Sequence, residues 1–412
     1  MVYNVAMKEK NIYNVAIIGG GASGLTLAAE LCKTQSNIAV FERGERVGRK
    51  LSATGNGQGN ISNLALGREQ YFSILPKGNE LAFSYLEQYG VSSLQDFFEK
   101  LGLLCSADER GRVYPAGRQA SSITDALRFF IDAQGVTTHT NVKITALEKK
   151  DGVFCLRAQT ADGERAYYAK TVALCTGGKA AKNFGTDGSA YALAQGFGHT
   201  LTPLYPSLVQ LKTDTVHSKI LKGIRVQNGV LWAEKDGKEI ARVKGDIIFT
   251  DYGVSGDAVF QLSAFLTDKA QTGKICLYID FLPEFSKEKL LLALTEKRAS
   301  FPKLPDSELL FGVVNNQIGR AIMRRADGDV FRAVELVKGF SLALTGSLGF
   351  DYAQVTKGGI PLCEVNKGLE SKFCKDLYLA GETLDLDGKC GGYNLQWAYA
   401  SARAVAAAIN GK

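Results

Sequence analysis

The stretch YNVAIIGGGASGLTLAAELC, residues 13–32, decides the fold. Tyr13 to Gly19 is a short run of β-branched and small apolar residues, the composition of a buried strand. Ala22 to Lys33 is rich in Ala and Leu and reads as a helix. Asn37 to Phe41 reads as a second strand. Strand, helix and strand within about thirty residues form a βαβ unit, which implies a parallel sheet. Between the first strand and the helix, Gly19-Gly20-Gly21-Ala22-Ser23-Gly24 fits G-x-G-x-x-G in the context that motif requires. Gly19 permits a tight turn, Gly21 lets a pyrophosphate approach the backbone, and Gly24 lets helix and strand pack closely. The helix N-terminus, at Ala22 and Ser23, offers N–H donors and the positive end of its dipole. Glu42 closes the second strand, 18 residues beyond Gly24. A carboxylate there accepts hydrogen bonds from ribose hydroxyls and repels a 2′-phosphate. Together these residues point to an adenine dinucleotide, FAD or NAD rather than NADP.

Beyond Glu42 the chain departs from a nicotinamide dehydrogenase, which would continue into further βαβ units. It runs instead through Arg43-Gly44-Glu45-Arg46-Val47-Gly48-Arg49-Lys50 and a Gly/Asn-rich stretch from Thr54 to Asn63. Such a stretch can lay backbone donors along an extended ligand, Arg49 and Lys50 can offset pyrophosphate charge or simply be solvated, and Arg43 is a further cofactor-binding candidate. Ile123 to Ala133 has the spacing of one helix face. Val136 to Leu156 reads as short antiparallel strands around Lys150-Asp151-Gly152, and Tyr167 to Leu174 as a strand ending in Cys175-Thr176-Gly177-Gly178. From His199 to Lys274 the pattern is one of short strands with Gly and Asp turns. From Ser286 to Lys338 it is helical, broken at Pro302 and Pro305. A strand at Leu377 to Ala380, a Gly-rich loop and a helix from Leu395 to Ile409 close the chain. The expected fold is α/β: a Rossmann-like domain built from both chain ends, residues 1–195 and 354–412. An inserted domain, residues 196–353, is β-barrel-like and β-rich at 196–282 and helical at 283–340.

Composition excludes several classes. With 412 residues, 45% hydrophobic and 22% charged, the chain has the mix of a globular protein with a sizeable core. A formal charge of +7 is mild for this length and, without a basic run interleaved with aromatics, predicts no nucleic-acid partner. The eight cysteines form no CxxC and the three histidines are scattered, so no metal site is expected. The opening MVYNVAMKEKN lacks the apolar core of a signal peptide, and no apolar run is long enough to span a membrane. A reducing cytoplasm is the expected compartment.

The stretches IIGGGASGL, FERGERVGRKLSATGNG, GRVYPAGRQASSI, ALCTGG, FTDYGVSG, GGIPLCEV and LYLAGETLDLDGKCGGYNLQWAYASA span essentially the whole chain. On them the sequence resembles the flavoproteins with a two-dinucleotide-binding-domain fold. Among these it is similar to the bacterial family that includes an aminoacetone oxidase and a bile-acid enone reductase. The resemblance implies an extended FAD, with adenine at the first βαβ unit and flavin against the C-terminal segment. Gly381 and Glu382 would then lie near the pyrophosphate and ribityl chain, and Thr176 and Gly177 at the adenosine half. Gly392, Asn394 and Leu395 would lie at the flavin pyrimidine edge, and Asn60 and Ile144 complete the implied cofactor set. Gly358 and Gly359 either bring backbone close to the ring or form a hairpin turn. Three stretches depart from the family pattern. Its Gly-Arg-Cys-Asn is Gly57-Gln58-Gly59-Asn60, its Phe-Thr-His is Phe249-Thr250-Asp251, and its Gly-Pro is Gly256-Asp257. With no second glycine motif, a dedicated NAD(P)H domain is not expected, and electrons would come either from NAD(P)H bound transiently at the flavin face or from another protein.

Flavin carries the redox chemistry, so the protein must orient substrate and move a proton. Tyr393 either donates a proton or packs beneath the ring. Asp251 either anchors a cationic or hydroxyl group or forms a turn, with Tyr252 beside it, and Ser255 with Gly256 reads as a helix N-cap. Cys175 and Cys390, next to cofactor loops, read as inert small side chains, and His199 as structural. The leading expectation is hydride transfer to an activated C=C or carbonyl of a steroid-like small molecule. The alternatives are oxidation of a small amine with peroxide production, and a non-catalytic or RNA-associated flavoprotein.

Overall fold

The computed structural model describes residues 12–268 and 273–411, so the opening stretch read for a leader lies outside the described residues. The chain divides into two compact units, one running to Tyr205 and resuming at Val355, the other spanning Pro206–Gln354. Each has its own hydrophobic core. Residues 196–205, which the sequence reading assigned to the insertion, fall in the first unit.

In the first unit, β1 (Ile12–Ile18), α1 (Ala22–Leu31) and β2 (Ile38–Phe41) form the βαβ unit, β2 pairing parallel to β1. All four residues of β2 are buried, as expected of a strand covered on both sheet faces. Helix α2 (Ala120–Ala133) leads into β3 (Thr137–His139), which joins β2 in parallel. Within this sheet, antiparallel pairing belongs to the meander β4 (Lys143–Lys150), β5 (Val153–Thr160) and β6 (Gly163–Leu174). The expectation of antiparallel pairing from Val136 is thus corrected at β3: its pairing partner is β2, almost a hundred residues earlier, and no local signal reports it. The β4–β5 turn is the one read from sequence, with Asp151 and Gly152 both at positive φ. The second half of β6 bends into the parallel sheet, beside β1 and the C-terminal strand Leu377–Leu379. The order is β3-β2-β1-β6-β5-β4, with the C-terminal strand on β6.

The C-terminal helix, Tyr393–Asn410, packs against α1. Both helices are buried almost all round, which is why their Ala-rich sequences carry little polar face. The C-terminal helix begins two residues earlier than its apolar periodicity indicates, because Gly392 at φ 99 starts the turn through its backbone.

The second unit is a closed barrel of β7 (Leu211–Thr213), β8 (Arg225–Lys235), β9 (Lys238–Phe249), β10 (Gly253–Ser255), β11 (Ile275–Asp280) and, after three helices, β12 (Phe340–Ser347). The helices are α3 (Lys287–Ser300), α4 (Asn316–Ala326) and α5 (Val330–Lys338). The strands are not uniformly short: β8 and β9 form one long hairpin whose turn, Asp236-Gly237, has both residues at positive φ. Ser255 does not cap a helix. It ends β10, and the helix Asp257–Ser263 starts on Gly256 with no capping side chain.

Candidate cofactor site

The glycine turn links β1 to α1. Gly19 stands at φ 107, where a Cβ would lie 2.3 Å from the Cys175 carbonyl oxygen. A Cβ on Gly24 would lie 1.9 Å from the Gly19 carbonyl oxygen. Both glycines are required by the protein's own packing. Gly21 differs: a Cβ there would meet no atom within 4 Å. It is the N-cap of α1, which has no capping side chain and no acidic residue in its first turn. The Ala22 and Ser23 N–H groups lie among the first donors of this helix, for which the helix itself provides no acceptors. Open space at Gly21 against an uncapped helix end fits a pyrophosphate.

Glu42 lies beside this turn. Its carboxylate accepts the Gly20 N–H at 3.0 Å and the Gly44 N–H at 2.7 Å. Two amide donors hold it in place and leave acceptor capacity for ribose hydroxyls. Of the basic residues that follow, Arg43, Arg49 and Lys50 have protein partners. Arg43 forms a two-pronged pair with Asp187 at 2.8 and 2.9 Å. Arg49 donates to the Asn183 carbonyl at 2.8 Å, and Lys50 pairs with Glu382 at 2.8 Å. The Arg43 guanidinium holds the Asp187 carboxyl far below the usual range.

The C-terminal segment meets the same turn. Gly381 stands at φ 68, and a Cβ there would press on the Ser23 hydroxyl at 2.8 Å. Its N–H donates to Ser401 Oγ and its carbonyl accepts from the Trp397 ring at 3.1 Å. Glu382 also accepts the Thr356 N–H. Asn394 ties its amide to Gly388 and its neighbour: Gly388 N–H donates to its oxygen at 2.8 Å, and its nitrogen donates to the Gly388 carbonyl at 2.7 Å and to the Lys389 carbonyl at 3.5 Å. This closes the loop 388–394 and leaves the Asn394 and Leu395 backbone N–H groups at the start of a helix with no capping side chain. A Cβ on Gly392 would strike the Ser62 carbonyl at 2.3 Å, and the buried Asn60 amide donates to Ser62 and Val113 carbonyls. Glycine in place of the family's cysteine at 59 has a local reason. The residue stands at φ 81, and its Cβ would sit 2.8 Å from Ile123 Cδ1.

Other expected residues have their own settings. Thr176 and Thr383 hydroxyls lie 3.4 Å apart, and Gly177 stands at φ 68. Gly358 and Gly359 are required by protein backbone, because Cβ atoms would strike the Pro203 and Thr383 carbonyls at 2.4 and 2.8 Å. Ile144 is buried on β4, opposite Ala158. Tyr393 is buried edge-on to Tyr71, and its hydroxyl donates to the Ala65 carbonyl at 3.4 Å. Burial holds its phenol above the usual value. Asp251 and Tyr252 belong to the second unit. Asp251 is exposed and pairs with Lys222 at 2.7 Å, which keeps its carboxyl low, and the Tyr252 carbonyl accepts from Thr213. The buried Cys175 thiol is pushed up to about 12 by desolvation. Among the described residues no cluster can hold a metal, and no helix is long and apolar enough to cross a membrane.

Sequence reasoning missed Asp187, Thr356 and Ser401, all of which tie the site together. Asp187-Gly188 carries only a turn signal, and Thr356 and Ser401 act on residues far along the chain.

Comparisons with known proteins place the chain in a family. The HI0933-like protein Rossmann domain family matches residues 13–408. The 3-dehydro-bile acid delta(4,6)-reductase of Clostridium scindens is 37% identical over 404 residues, covering 94% of this chain and 96% of that protein. The ribosomal RNA dihydrouridine synthase of Haemophilus influenzae is 27% identical, covering 96% and 98%. Among solved structures, 3-ketosteroid delta1-dehydrogenase from Sterolibacterium denitrificans aligns with a TM-score of 0.54 at 13% identity, over 98% of this chain and all of that one. That last likeness bears on the fold alone. With the family match running almost end to end and the dinucleotide cradle in place, the chain belongs to the HI0933-like family and is an FAD-dependent oxidoreductase.

Proposed function

We propose that the protein reduces a carbon–carbon double bond conjugated to a carbonyl in a steroid-like small molecule. The observation that carries this reading is the 37% identity, across nearly the full length of both chains, to a protein named as a bile-acid delta(4,6)-reductase. Bound and reduced, FAD would supply a hydride to the β-carbon of the substrate, leaving this chain's residues to orient the enone, favour the negative charge that develops and deliver a proton to the α-carbon. The start of the C-terminal helix contributes N–H donors and a positive dipole end, which favour negative charge held beside them. Tyr393 keeps its proton through the neutral range and is the proposed donor, directly or through water. Asp251 stays ionised beside Lys222, so its proposed role is to accept a hydrogen bond from a substrate hydroxyl or ammonium. NAD(P)H is the proposed electron donor, bound transiently.

A second reading has support from the dihydrouridine synthase relative. Dihydrouridine is uridine with its 5,6 double bond saturated, and that bond is conjugated to the C4 carbonyl. The two relatives therefore share a bond type and differ in the molecule that carries it.

The test is anaerobic mixing of the reduced holoprotein with candidate acceptors while flavin absorbance is followed. Fast reoxidation by a Δ4- or Δ4,6-3-ketosteroid, with slow reoxidation by oxygen, is expected. Fast reoxidation by ribosomal RNA alone would move the substrate to RNA. Reduction of the oxidised protein by aminoacetone, followed by rapid peroxide release in air, would replace the reductase with an amine oxidase.

A further inference from the structure

The segment 179–189 leaves the end of β6 and returns at the helix Tyr191–Gln195. It has little regular structure, yet it is fixed at both ends. At its start, the Lys179 and Ala180 N–H groups both donate to the Thr356 hydroxyl, at 2.7 and 2.8 Å. The Thr186 hydroxyl donates back to the Ala180 carbonyl, closing the loop on itself. At its far side, Asp187 takes both prongs of Arg43 and also accepts the Ser189 N–H at 3.0 Å. Arg49 adds a second tie at the Asn183 carbonyl.

Register shows what the segment crosses. Leu174 at the end of β6 pairs with Ile18 at the end of β1, and Ile18 pairs with Phe41 at the end of β2. The segment therefore starts from β6 and is clasped just beyond β2. Between those points lies the crevice outside the carboxyl ends of three neighbouring parallel strands, where sheets of this kind hold a nucleotide. Arg43 is the residue next to Glu42, whose carboxylate faces the Gly20 amide.

We infer that residues 179–189 form a strap across the adenosine end of the cofactor, and that Arg43 and Asp187 are positioning residues that clasp it shut. Arg43 thus acts on the cofactor through the strap, its two prongs being taken up by Asp187. The inference rests on FAD occupying the Gly19–Glu42 cradle. The clasp is the one two-pronged Arg–carboxylate pair joining the strap to the βαβ unit among the described residues. Its side chains are partly exposed, so its opening is within reach of thermal motion.

Three variants of the holoprotein test it: Arg43→Ala, Asp187→Asn, and the swap Arg43→Glu/Asp187→Arg. FAD release is followed by the fluorescence of freed flavin, and binding of ADP to each apoprotein is followed by calorimetry. The single variants are expected to release FAD on the order of five- to tenfold faster and to bind ADP weaker by a similar factor. The swap is expected to recover most of both. If both single variants release FAD at the wild-type rate, the strap is not clasped by this pair and the inference fails. It fails equally if they lose apoprotein thermal stability while release and ADP affinity stay unchanged. Asp187→Asn keeps the side-chain size, so it remains informative if the swap does not fold. A wild-type protein that retained neither FAD nor ADP would instead overturn the assignment of the cradle itself.

Discussion

Gly21 and Gly24 stand three positions apart and answer to different demands. Alanine at 24 would drive a Cβ into the Gly19 carbonyl, while alanine at 21 would meet open space at a φ of −86 that alanine adopts freely. Gly24→Ala is therefore expected to unfold or strongly destabilise the first unit, by about 3 kcal/mol or more. Gly21→Ala is expected to leave the thermal midpoint of the apoprotein nearly unchanged yet weaken FAD binding on the order of tenfold. Thermal melts and flavin titration separate the two. His199 gives a second prediction. Ser371 Oγ already accepts the Phe373 and Cys374 N–H groups, so its own proton goes to His199 Nε2 at 2.7 Å. The remaining ring proton sits on Nδ1, facing Glu364 at 3.0 Å. The network accommodates a neutral ring, and burial lowers the histidine's pKa despite Glu364. The unfolded chain then binds this proton more readily than the folded one. Stability is full above the ordinary histidine value and falls as pH drops through it towards the lowered one. Denaturant melts from pH 7.5 to 5 should show this slope in the wild type and a shallower one in His199→Gln. The structural role of His199 was legible from its position after Gly198, but its partners, more than a hundred and sixty residues away, were not.

At the level of elements, what sequence revealed and what it hid divide along one line. Strands and helices with strong local pattern, such as β1, α1 and β2, were readable because burial and propensity agree. The C-terminal helix starts ahead of its apolar pattern, and the helix after β10 starts at Gly256 without help from Ser255, because glycines at 392 and 256 set both starts through backbone angles rather than a capping side chain. Loop 388–394 depends on a single amide. Asn394→Ala removes two hydrogen bonds to Gly388 and is expected to cost about 1–3 kcal/mol in the holoprotein, with faster loss of FAD, both measurable in one melt series. In the barrel, the β8–β9 hairpin turns on Asp236-Gly237, and a Cβ on Gly237 would meet no atom within 4 Å. Gly237→Val is therefore a pure backbone test, expected to cost about 1 kcal/mol or slightly more by forcing a branched side chain to positive φ.

On the scale of the whole molecule, the glycine turn, Glu42, Gly381 and the C-terminal helix all belong to one unit with its own core, while the barrel has a separate one. Calorimetry should resolve two transitions, and stripping FAD should lower one of them while leaving the other in place. The division into an α/β body and an insertion was visible in sequence as a change of pattern. The closure of the barrel was not, because β12 reaches β7 only after three helices have intervened. The parallel pairing of Leu174 with Leu379 has a further consequence for biosynthesis. On the ribosome, the barrel's residues emerge as one continuous stretch and can collapse as soon as they clear the tunnel. The nucleotide-holding half must wait with an unfinished sheet edge until its last strand and helix are translated. Coenzyme capture therefore waits until Leu377–Asn410 has emerged, and a polypeptide halted before Leu377 could fold a barrel but would leave the ribosome colourless.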